Sequence, residues 1–277
     1  MLTGWDASRS LRALRAAMGS AFNSIRLNAV TNHTLLEERS AIVKRRTALG
    51  RSLAPVANSY FRMAGVPLSL DTDIHEWQQR EIRSFRMLNP EFRALAVDGY
   101  AICEQQLPGE HLLHHAKCGT LRRKMLRAAG LEIRRAHQFW SDEYVGRWSH
   151  GDAAMRNVIY ASATGRARLI DFEMAHDPSL PAVARHADDL RAFLLDLVSL
   201  SSRRRWLPYA LTFLRAYDDA AVIAELRHHL FVPKGLGRLW WKIRTNFAED
   251  GEVLRRLTAL GSAIDQGALR AGFSDKA

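Results

Sequence analysis

The sequence is short of cysteine and of long hydrophobic runs, and it has fewer acidic than basic residues. Cys103 and Cys118 are the only two cysteines among 277 residues, which fits reduced cytosolic thiols better than a disulfide framework or a zinc site. No apolar run approaches the roughly 20 residues that a membrane-spanning helix needs. Met1–Ser20 carries Arg12 and Arg15 inside its apolar pattern, unlike a secretory signal, so we expect a cytoplasmic protein.

The excess of basic residues bears on the partners of the protein. The chain has 40 Lys and Arg against 29 Asp and Glu, a net charge of +11 and a pI of about 10.2. Charge of this size favours an anionic partner, such as nucleic acid, an anionic membrane surface or a phosphorylated glycolipid. Arg and Lys are concentrated at 44–46, 122–124 and 203–205, although solvated helix faces would explain each cluster equally well.

The first 105 or so residues are predicted to contain most of the strands. Residues 51–70 give no clear pattern because Pro55, Gly65 and Pro67 interrupt them. Asp98-Gly99 is a turn signal between two apolar runs. The predicted helices are 6–18 and Glu76–Leu88, and the predicted strands are Ile25–Val30, His33–Leu36, Ala41–Lys44, Ala94–Val97 and Tyr100–Cys103, with a turn at Thr31-Asn32.

The remainder of the chain is predicted to be mainly helical. Its helices are Leu121–Trp140, Asp188–Leu200, Trp206–Tyr217, Ala220–Leu230 and Glu252–Ile264. Together the two parts predict an α+β fold with two lobes: a small β-rich N-lobe over 1–104 and a larger, mainly helical C-lobe over 105–277. The hinge between them is expected near residues 104–106.

One short segment concentrates the side chains that could handle protons or a metal. It contains Asp152 and Asn157, and Asp171 follows after two short apolar runs, 158–160 and 167–170. Thr164-Gly165 lies between these runs as a turn signal, so they are predicted to form a β-hairpin. The hairpin would bring Asn157 and Asp171 together at its open end. Carboxylate and amide oxygens placed in this way suit Mg²⁺ and a phosphate ester.

The same segment matches a known catalytic pattern. His150-Gly151-Asp152, then Asn157, then a strand that ends in Asp171-Phe172-Glu173, is similar to the catalytic core of kinases. The chain resembles the aminoglycoside-phosphotransferase-like and lipopolysaccharide-kinase-like branch of the protein-kinase superfamily, and also the small atypical kinase of the KEOPS tRNA-modification complex. His-Gly-Asp instead of His-Arg-Asp, and Asp-Phe-Glu instead of Asp-Phe-Gly, favour this branch over eukaryotic-type protein kinases.

The resemblance implies roles for the residues of the segment. Asp152 would be the catalytic base, or the group that orients the acceptor hydroxyl. Asn157 would belong to the catalytic loop and, with Asp171, would coordinate Mg²⁺ that bridges the phosphates of ATP. His150 would anchor the catalytic loop. Asp189 would hydrogen-bond the backbone of that loop, or else cap a helix.

The resemblance also implies how the N-lobe would bind ATP. Lys44 would contact the α- and β-phosphates, with Arg46 as a competitor because alternation places both on one strand face. Its partner would be Glu81, with Glu76 as the alternative. In the hinge, Glu104 and Gln106 would bind the cofactor.

The chain departs from the family pattern in its phosphate loop. Kinases of this superfamily cover ATP with a glycine-rich hairpin, but only Gly4 and Gly19 precede the predicted lysine strand. A catalytically silent pseudokinase therefore stays open as an alternative.

The acceptor is not named by the sequence, but charge argues against a polycationic aminoglycoside, because a positive field repels cations. We expect an anionic acceptor such as a sugar or a lipopolysaccharide-like glycan, with the protein peripheral at the inner face of the membrane. The alternative is a KEOPS-like kinase or ATPase that acts with a protein or tRNA. Trp240-Trp241 could contact a sugar or a lipid interface, or lie in the core.

Overall fold

The fold is described from a computed structural model that covers residues 31–36 and 40–269. The helix predicted over 6–18 and the strand predicted over Ile25–Val30 lie outside the described residues. Within them, a strand-bearing first part precedes a mainly helical second part, which confirms the predicted α+β class. The proposed lobe boundary between 104 and 105 stays a prediction.

A four-stranded antiparallel sheet organises the first part, in the order β1-β2-β5-β4. The hairpin around Asp98-Gly99 is confirmed. Thr31 and Asn32 do not form the expected turn, because they are the first residues of β1 and pair with the end of the next strand. The strands are β1 (Thr31–Leu36), β2 (Ala41–Arg46), β4 (Ala94–Asp98) and β5 (Ala101–Gln105).

The segment without a clear sequence pattern folds as helix α1 (Ala48–Met63) and strand β3 (Leu68–Leu70). Thr47 starts the helix, since its side chain accepts from the Gly50 N–H at 2.8 Å. Pro55 lies inside the helix on its exposed side, where water can bind the carbonyl that loses its N–H partner. Pro55 therefore obscured the helix in the sequence, although the helix tolerates Pro55 because this residue is exposed.

Helix α2 (Ile74–Leu88) returns the chain to the sheet close to its predicted bounds. Asp73 caps it by accepting from the N–H groups of His75 at 2.7 Å and Glu76 at 3.0 Å. Trp77, Phe85 and Leu88 form its buried face. The acidic residue at Glu81 is on this buried face too, and its burial requires a partner.

The second part contains seven helices among the residues that the structure describes, together with short strands. The predicted hairpin before Asp171 is confirmed as β9 and β10. The strands are β6 (Glu110–His111), β7 (Trp140–Ser141), β8 (Gly146–Arg147), β9 (Val158–Ala161), β10 (Arg166–Leu169) and β11 (Met174–His176). The helices are α3 (Leu112–Lys117), α4 (Arg123–Ala136), α5 (Ala182–Leu200), α6 (Arg203–Tyr217), α7 (Ala220–His228), α8 (Gly237–Arg244) and α9 (Asp250–Asp265).

Two helices differ from expectation at positions that matter for the site. Helix α4 ends at Ala136 and not near Trp140, because the chain turns there into the β7–β8 hairpin. Helix α5 begins six residues earlier than predicted, at Ala182, and so Asp189 lies inside it and is not a cap. Helix α8 has no counterpart in the sequence prediction.

The main core lies between the helices of the second part. Phe193 of α5 stacks on Phe213 of α6 with ring centroids 4.1 Å apart. Strand β3 pairs antiparallel with β11, and Phe61 of α1 packs against Trp240 of α8, so both elements contact the second part. No helix in the described ranges 31–36 and 40–269 combines the length and apolarity needed to cross a membrane.

Candidate active site

Lys44 lies at the centre of a buried ion cluster between β2 and α2. Its Nζ is 3.2 Å from Glu81 Oε2, 3.1 Å from Glu104 Oε2 and 3.8 Å from Asp171 Oδ1. Lys44, Glu81 and Glu104 are all buried. Arg46, the competing cation, instead donates to the backbone carbonyl of Asp71. The alternative partner, Glu76, is exposed. The structure thus brings together four of the residues singled out from the sequence.

This cluster has more negative than positive groups. Burial lowers the pKa of Lys44, but the charges of Glu104, Glu81 and Asp171 outweigh that and hold it above its usual value. Burial raises the pKa of Glu81 and of Glu104 against the pull of Lys44. A divalent cation beside these three acidic side chains would favour their ionised forms, because its positive charge opposes the effect of burial.

A second ion pair network holds the helix that carries Glu81. Arg80, the next residue of α2, has its Nε 2.7 Å from Asp71 Oδ2 and its Nη1 2.6 Å from Glu143 Oε1. It therefore ties α2 to the segment before it and to the β7–β8 turn. This clamp fixes the position of Glu81 relative to Lys44.

Asp189 accepts the backbone hydrogen bonds of the loop before Asp152, the contact that the resemblance predicted for it. Its two carboxylate oxygens accept the backbone N–H groups of His150 at 2.7 Å and Gly151 at 2.9 Å. The His137 ring lies 3.0 Å from the same carboxylate. Hydrogen bonds and nearby histidines hold the pKa of Asp189 below its usual value although burial opposes them. A buried, ionised Asp189 thus fixes the loop backbone.

His150 has a structural position in the same loop. Its Nε2 lies 3.0 Å from the carbonyl oxygen of Ile170, to which it can only donate. Its Nδ1 then accepts from the Asp152 N–H at 3.3 Å. The ring is buried and so ties the loop before Asp152 to the strand before Asp171.

Asp152 is surrounded by donors and cations. The Asn157 side-chain nitrogen donates to the Asp152 carbonyl at 2.8 Å and to its Oδ2 at 3.3 Å. Two arginines are within ion-pair distance of the carboxylate: Arg156 at 3.5 Å from Oδ2 and Arg244 at 3.4 Å from Oδ1. Both arginines have side chains at most 12% exposed. Asp152 therefore lies beside two largely desolvated guanidinium groups.

The backbone on both sides of the hairpin is specialised. Asp171 has φ +69°, a left-handed conformation that is uncommon outside glycine and is found at functional sites. Gly151 has φ +83°, and a Cβ there would lie 2.7 Å from the Met174 carbonyl oxygen. The glycine of His-Gly-Asp is thus required by the close passage of β11, which leaves no room for the arginine of His-Arg-Asp.

The ion cluster opens into a cavity of about 400 Å³. Apolar side chains from both sides of the cleft line it, with Ile42 on β2 and Ile159 on β9. Lys44, Asn157 and Asp171 share the cavity with them. Apolar walls beside a cluster of polar groups are typical of a nucleotide pocket.

Two residues were assigned to the hinge, and they have different positions. Glu104 lines this cavity and contacts Lys44. Gln106 is exposed, and its N–H donates to the Ser40 carbonyl at 2.7 Å, while Gln105 and Leu107 line the cavity. A role for Gln106 toward a cofactor stays a prediction.

The donor set fits Mg²⁺ together with a nucleotide. Asn157 uses its nitrogen on Asp152, and no hydrogen bond recorded among the described residues uses its oxygen Oδ1. Asp171 brings a carboxylate to the same cavity. No group of three or more His, Cys, Asp or Glu in the described ranges is arranged to hold a metal alone. Asn157 and Asp171 would therefore need phosphate oxygens to complete the coordination of the ion.

Three contacts around Asp152 were missed from the sequence. They are Arg156, Arg244 and Asp196, whose Oδ2 accepts the Met155 N–H at 3.0 Å. Asp196 could have been found, because it follows Asp189 by seven residues and so lies on the same face of α5. Arg244 gives no local signal, since α8 reaches the loop only through the tertiary fold.

Comparisons with known proteins give no close relative. No protein-family model matches the chain, and no curated protein matches it. Among solved structures it is similar to an ethanolamine kinase of Plasmodium vivax, with a TM-score of 0.44 and 11% identity over 86% of this chain and 84% of that chain. It is also similar to a choline kinase of Cryptosporidium parvum, with a TM-score of 0.34 and 10% identity over 82% of this chain and 83% of that chain. Similarity at this level assigns no activity to this chain.

Proposed function

We propose that the protein transfers a phosphoryl group from Mg·ATP to the hydroxyl of an anionic alcohol. One observation carries this proposal: Lys44, which is paired with buried Glu81, borders the same cavity as Asp171 and Asn157, and the Asn157 amide contacts Asp152. These are the groups that phosphoryl transfer needs, placed on the two sides of one cleft.

The residues divide the work between the two sides. Lys44 would bind phosphate oxygens, held in place by Glu81 on the clamped helix α2. Asn157 and Asp171 would hold Mg²⁺, which supplies positive charge to the phosphates when bound. Asp152 would orient the acceptor hydroxyl and accept its proton, and positioning is the larger part of that work because the transition state is loose.

The surroundings of Asp152 support an anionic acceptor. Arg244 contacts Asp152 and also lines a second cavity of about 490 Å³, together with Arg191, Trp240 and Trp241. Arg244 is buried, and its Nε has no hydrogen-bond partner among the described residues. A phosphate or carboxylate on the acceptor would satisfy this group. A cationic alcohol would instead be repelled by the two guanidinium groups beside Asp152.

The acids of this second cavity are already paired. Asp188 contacts Arg191 and His176, and Glu225 contacts His229. They therefore leave little negative charge to attract a cationic substrate. We propose a sugar or glycan bearing phosphate or carboxylate as the natural acceptor class.

Mg·ATP binding measured by calorimetry tests the nucleotide side. Asp171→Asn should weaken binding at least tenfold, roughly the worth of one charged metal ligand. Asparagine is the right replacement because it tolerates the left-handed backbone of Asp171. Asp218→Asn is a matched control, since Asp218 also has positive φ, +53°, but is exposed at the end of α6. Equal binding by wild type and Asp171→Asn would reject the metal assignment.

Transfer of labelled phosphate to three small alcohols tests the acceptor side. We expect glycerol 3-phosphate to be a better acceptor than glycerol, and choline to be the poorest, because only the first offers an anion to Arg244. Arg244→Gln should remove most of the advantage of glycerol 3-phosphate over glycerol. Mg·ATP binding without transfer to these alcohols, glycans, protein or tRNA would identify a pseudokinase instead.

A further inference from the structure

Two neighbouring segments carry an unusual amount of exposed apolar surface. They are helix α1 and residues 231–239, which include the first turn of α8. Half of the large apolar side chains exposed in the described part of the chain belong to them. We call this set the apolar rim: Leu49, Leu53, Val56 and Met63 on α1, and Phe231, Leu236 and Leu239 on the other segment. An exposed apolar patch of this kind marks a binding surface.

The two halves of the apolar rim are joined through Tyr60. Residues 49, 53, 56, 60 and 63 follow the spacing of one helix face, so Tyr60 lies between Val56 and Met63 on it. The Tyr60 hydroxyl donates to the Leu236 carbonyl at 2.8 Å and accepts from the Trp240 N–H at 3.0 Å. The exposed apolar groups of α1 therefore continue onto those of the second segment.

The charge of these segments is of one sign. Residues 48–63 and 231–244 contain no Asp or Glu. Their cations are Arg51, Arg62, Lys234, Arg238, Lys242 and Arg244. Asp250 of α9 pairs with Arg238 and Lys242, and Arg244 contacts Asp152, so the remaining positive charge comes from Arg51, Arg62 and Lys234. Apolar side chains fringed by cations suit an anionic lipid surface.

The apolar rim borders the cavity proposed for the acceptor. Phe231 belongs to both, and the cavity is also lined by Ala64 and Gly65, directly after Met63. Trp240 and Arg244 line it, with the Arg244 guanidinium carbon 5.0 Å from the Trp240 ring centroid. A molecule anchored in a surface that the rim binds would therefore lie next to the cavity lined by Arg244, the residue that contacts Asp152.

We propose that the apolar rim docks on an anionic lipid bilayer and presents a lipid-linked hydroxyl to Asp152. The docking stands on the exposed side chains and charges alone, whereas the lipid-linked acceptor rests on the proposed phosphotransfer. The occupant is a bilayer because the complementary charge must be negative and the apolar groups are spread over two separate segments of the chain.

Co-sedimentation of the full chain with vesicles tests the docking. Wild type should bind phosphatidylcholine vesicles that contain phosphatidylglycerol, and bind vesicles of phosphatidylcholine alone much more weakly. The double variant Val56→Glu, Leu239→Glu should bind at least about tenfold more weakly, because two inserted apolar groups become anions. Lys234→Gln should weaken binding about fivefold, the effect of one cation at such a surface.

A matched control comes from another surface. Val97 and Leu95 of β4 are exposed to 53% and 49%, against 63% and 50% for Val56 and Leu239. The double variant Val97→Glu, Leu95→Glu introduces the same changes and should bind vesicles as wild type does. Equal loss in both double variants, or equal binding of wild type to both kinds of vesicle, would overturn the proposal.

Other occupants of the surface would give different results. Self-association that the Val56→Glu, Leu239→Glu variant abolishes would assign the surface to a second copy of the chain. Vesicle binding that begins only after removal of residues 1–30 would assign it to that segment. Either result overturns the proposal. Transfer of phosphate to glycerol 3-phosphate without vesicle binding would reject docking and leave the proposed phosphotransfer intact. Vesicle binding without Mg·ATP binding would reject phosphotransfer and leave docking intact.

Discussion

The two sides of the cleft have different balances of charge. On one side a single ammonium, Lys44, lies among three acidic side chains. On the other side Arg156 and Arg244 lie beside Asp152, and buried Asp196 adds a second acid next to them. The first side is therefore short of positive charge, which the metal ion of the proposed nucleotide complex would supply, whereas acids and guanidinium groups balance on the second side. The difference teaches that an excess of buried acids indicates the side of a cleft that is suited to a cation.

Replacement of Asp152 should have the largest effect on activity. Asp152→Asn keeps the shape of the side chain but removes the carboxylate that would orient the hydroxyl and accept its proton, so we expect kcat to fall by about 10²–10⁴. Mg·ATP binding should change little, because Asp152 belongs to the acceptor side. Steady-state kinetics and calorimetry on the same preparation check both expectations. Asp218→Asn serves again as the control, and an undiminished kcat for Asp152→Asn would rule out its assigned role.

Replacement of Lys44 should disrupt the buried ion cluster and, with it, the proposed nucleotide site. Lys44→Met leaves three carboxylates without their cation, and we expect a loss of about 3 kcal/mol in the free energy of unfolding, together with loss of nucleotide binding. Lys242→Met is the control, since Lys242 is also paired with an acid but is partly exposed, and it should cost under about 1 kcal/mol. Denaturant unfolding measures both. Similar losses in the two variants would contradict a special role for the buried cluster.

The contrast between the two sides also explains how much the sequence could predict. Lys44, Asn157, Asp171 and Asp189 were found because each lies at a fixed spacing within a motif or regular element. Arg244 is in α8, a helix with no sequence prediction, and contacts Asp152 across 92 residues of chain. Helix α1 was missed because Pro55 ordinarily breaks helices, and only its exposure in the folded chain makes it tolerable. Local patterns therefore predicted which residues lie together around Lys44 and Asp171, whereas the surroundings of Asp152 also depend on long-range packing.

Gly151 offers a test of how tightly the loop before Asp152 is packed. Gly151→Ala adds both left-handed strain and a contact of 2.7 Å with the Met174 carbonyl oxygen. Gly165→Ala is the control, since Gly165 has φ +68° and its nearest neighbour would be 3.9 Å away. We expect Gly165→Ala to cost about 1 kcal/mol from strain alone, and Gly151→Ala about 3 kcal/mol. Thermal unfolding compares them, and equal costs would mean that β11 can move away.

The smallest expected change, about 1 kcal/mol for each pH unit, is in the pH dependence of the free energy of unfolding. It concerns the histidines behind the loop that carries Asp152. His186 stacks on His137, the histidine that contacts Asp189, with ring centroids 3.8 Å apart. Burial, with a smaller contribution from His137, lowers the pKa of His186 from 6.5 to about 3. Because this folded-state pKa lies below the unfolded value, the unfolded chain binds more protons between the two values. The contribution of His186 is therefore complete above pH 6.5 and is lost as the pH falls toward 3.

Denaturant unfolding at a series of pH values below 6.5 measures this dependence. We expect the free energy of unfolding to fall by about 1 kcal/mol per pH unit through His186. His186→Phe keeps a ring in the stack and removes the titration, so its slope should be shallower, although the loss of the bond to the Trp148 carbonyl lowers its stability at every pH. His228→Gln, at an exposed position of α7, should keep the wild-type slope. An equal slope in His186→Phe and wild type would place the acid sensitivity elsewhere and leave the loop independent of the stacked histidines.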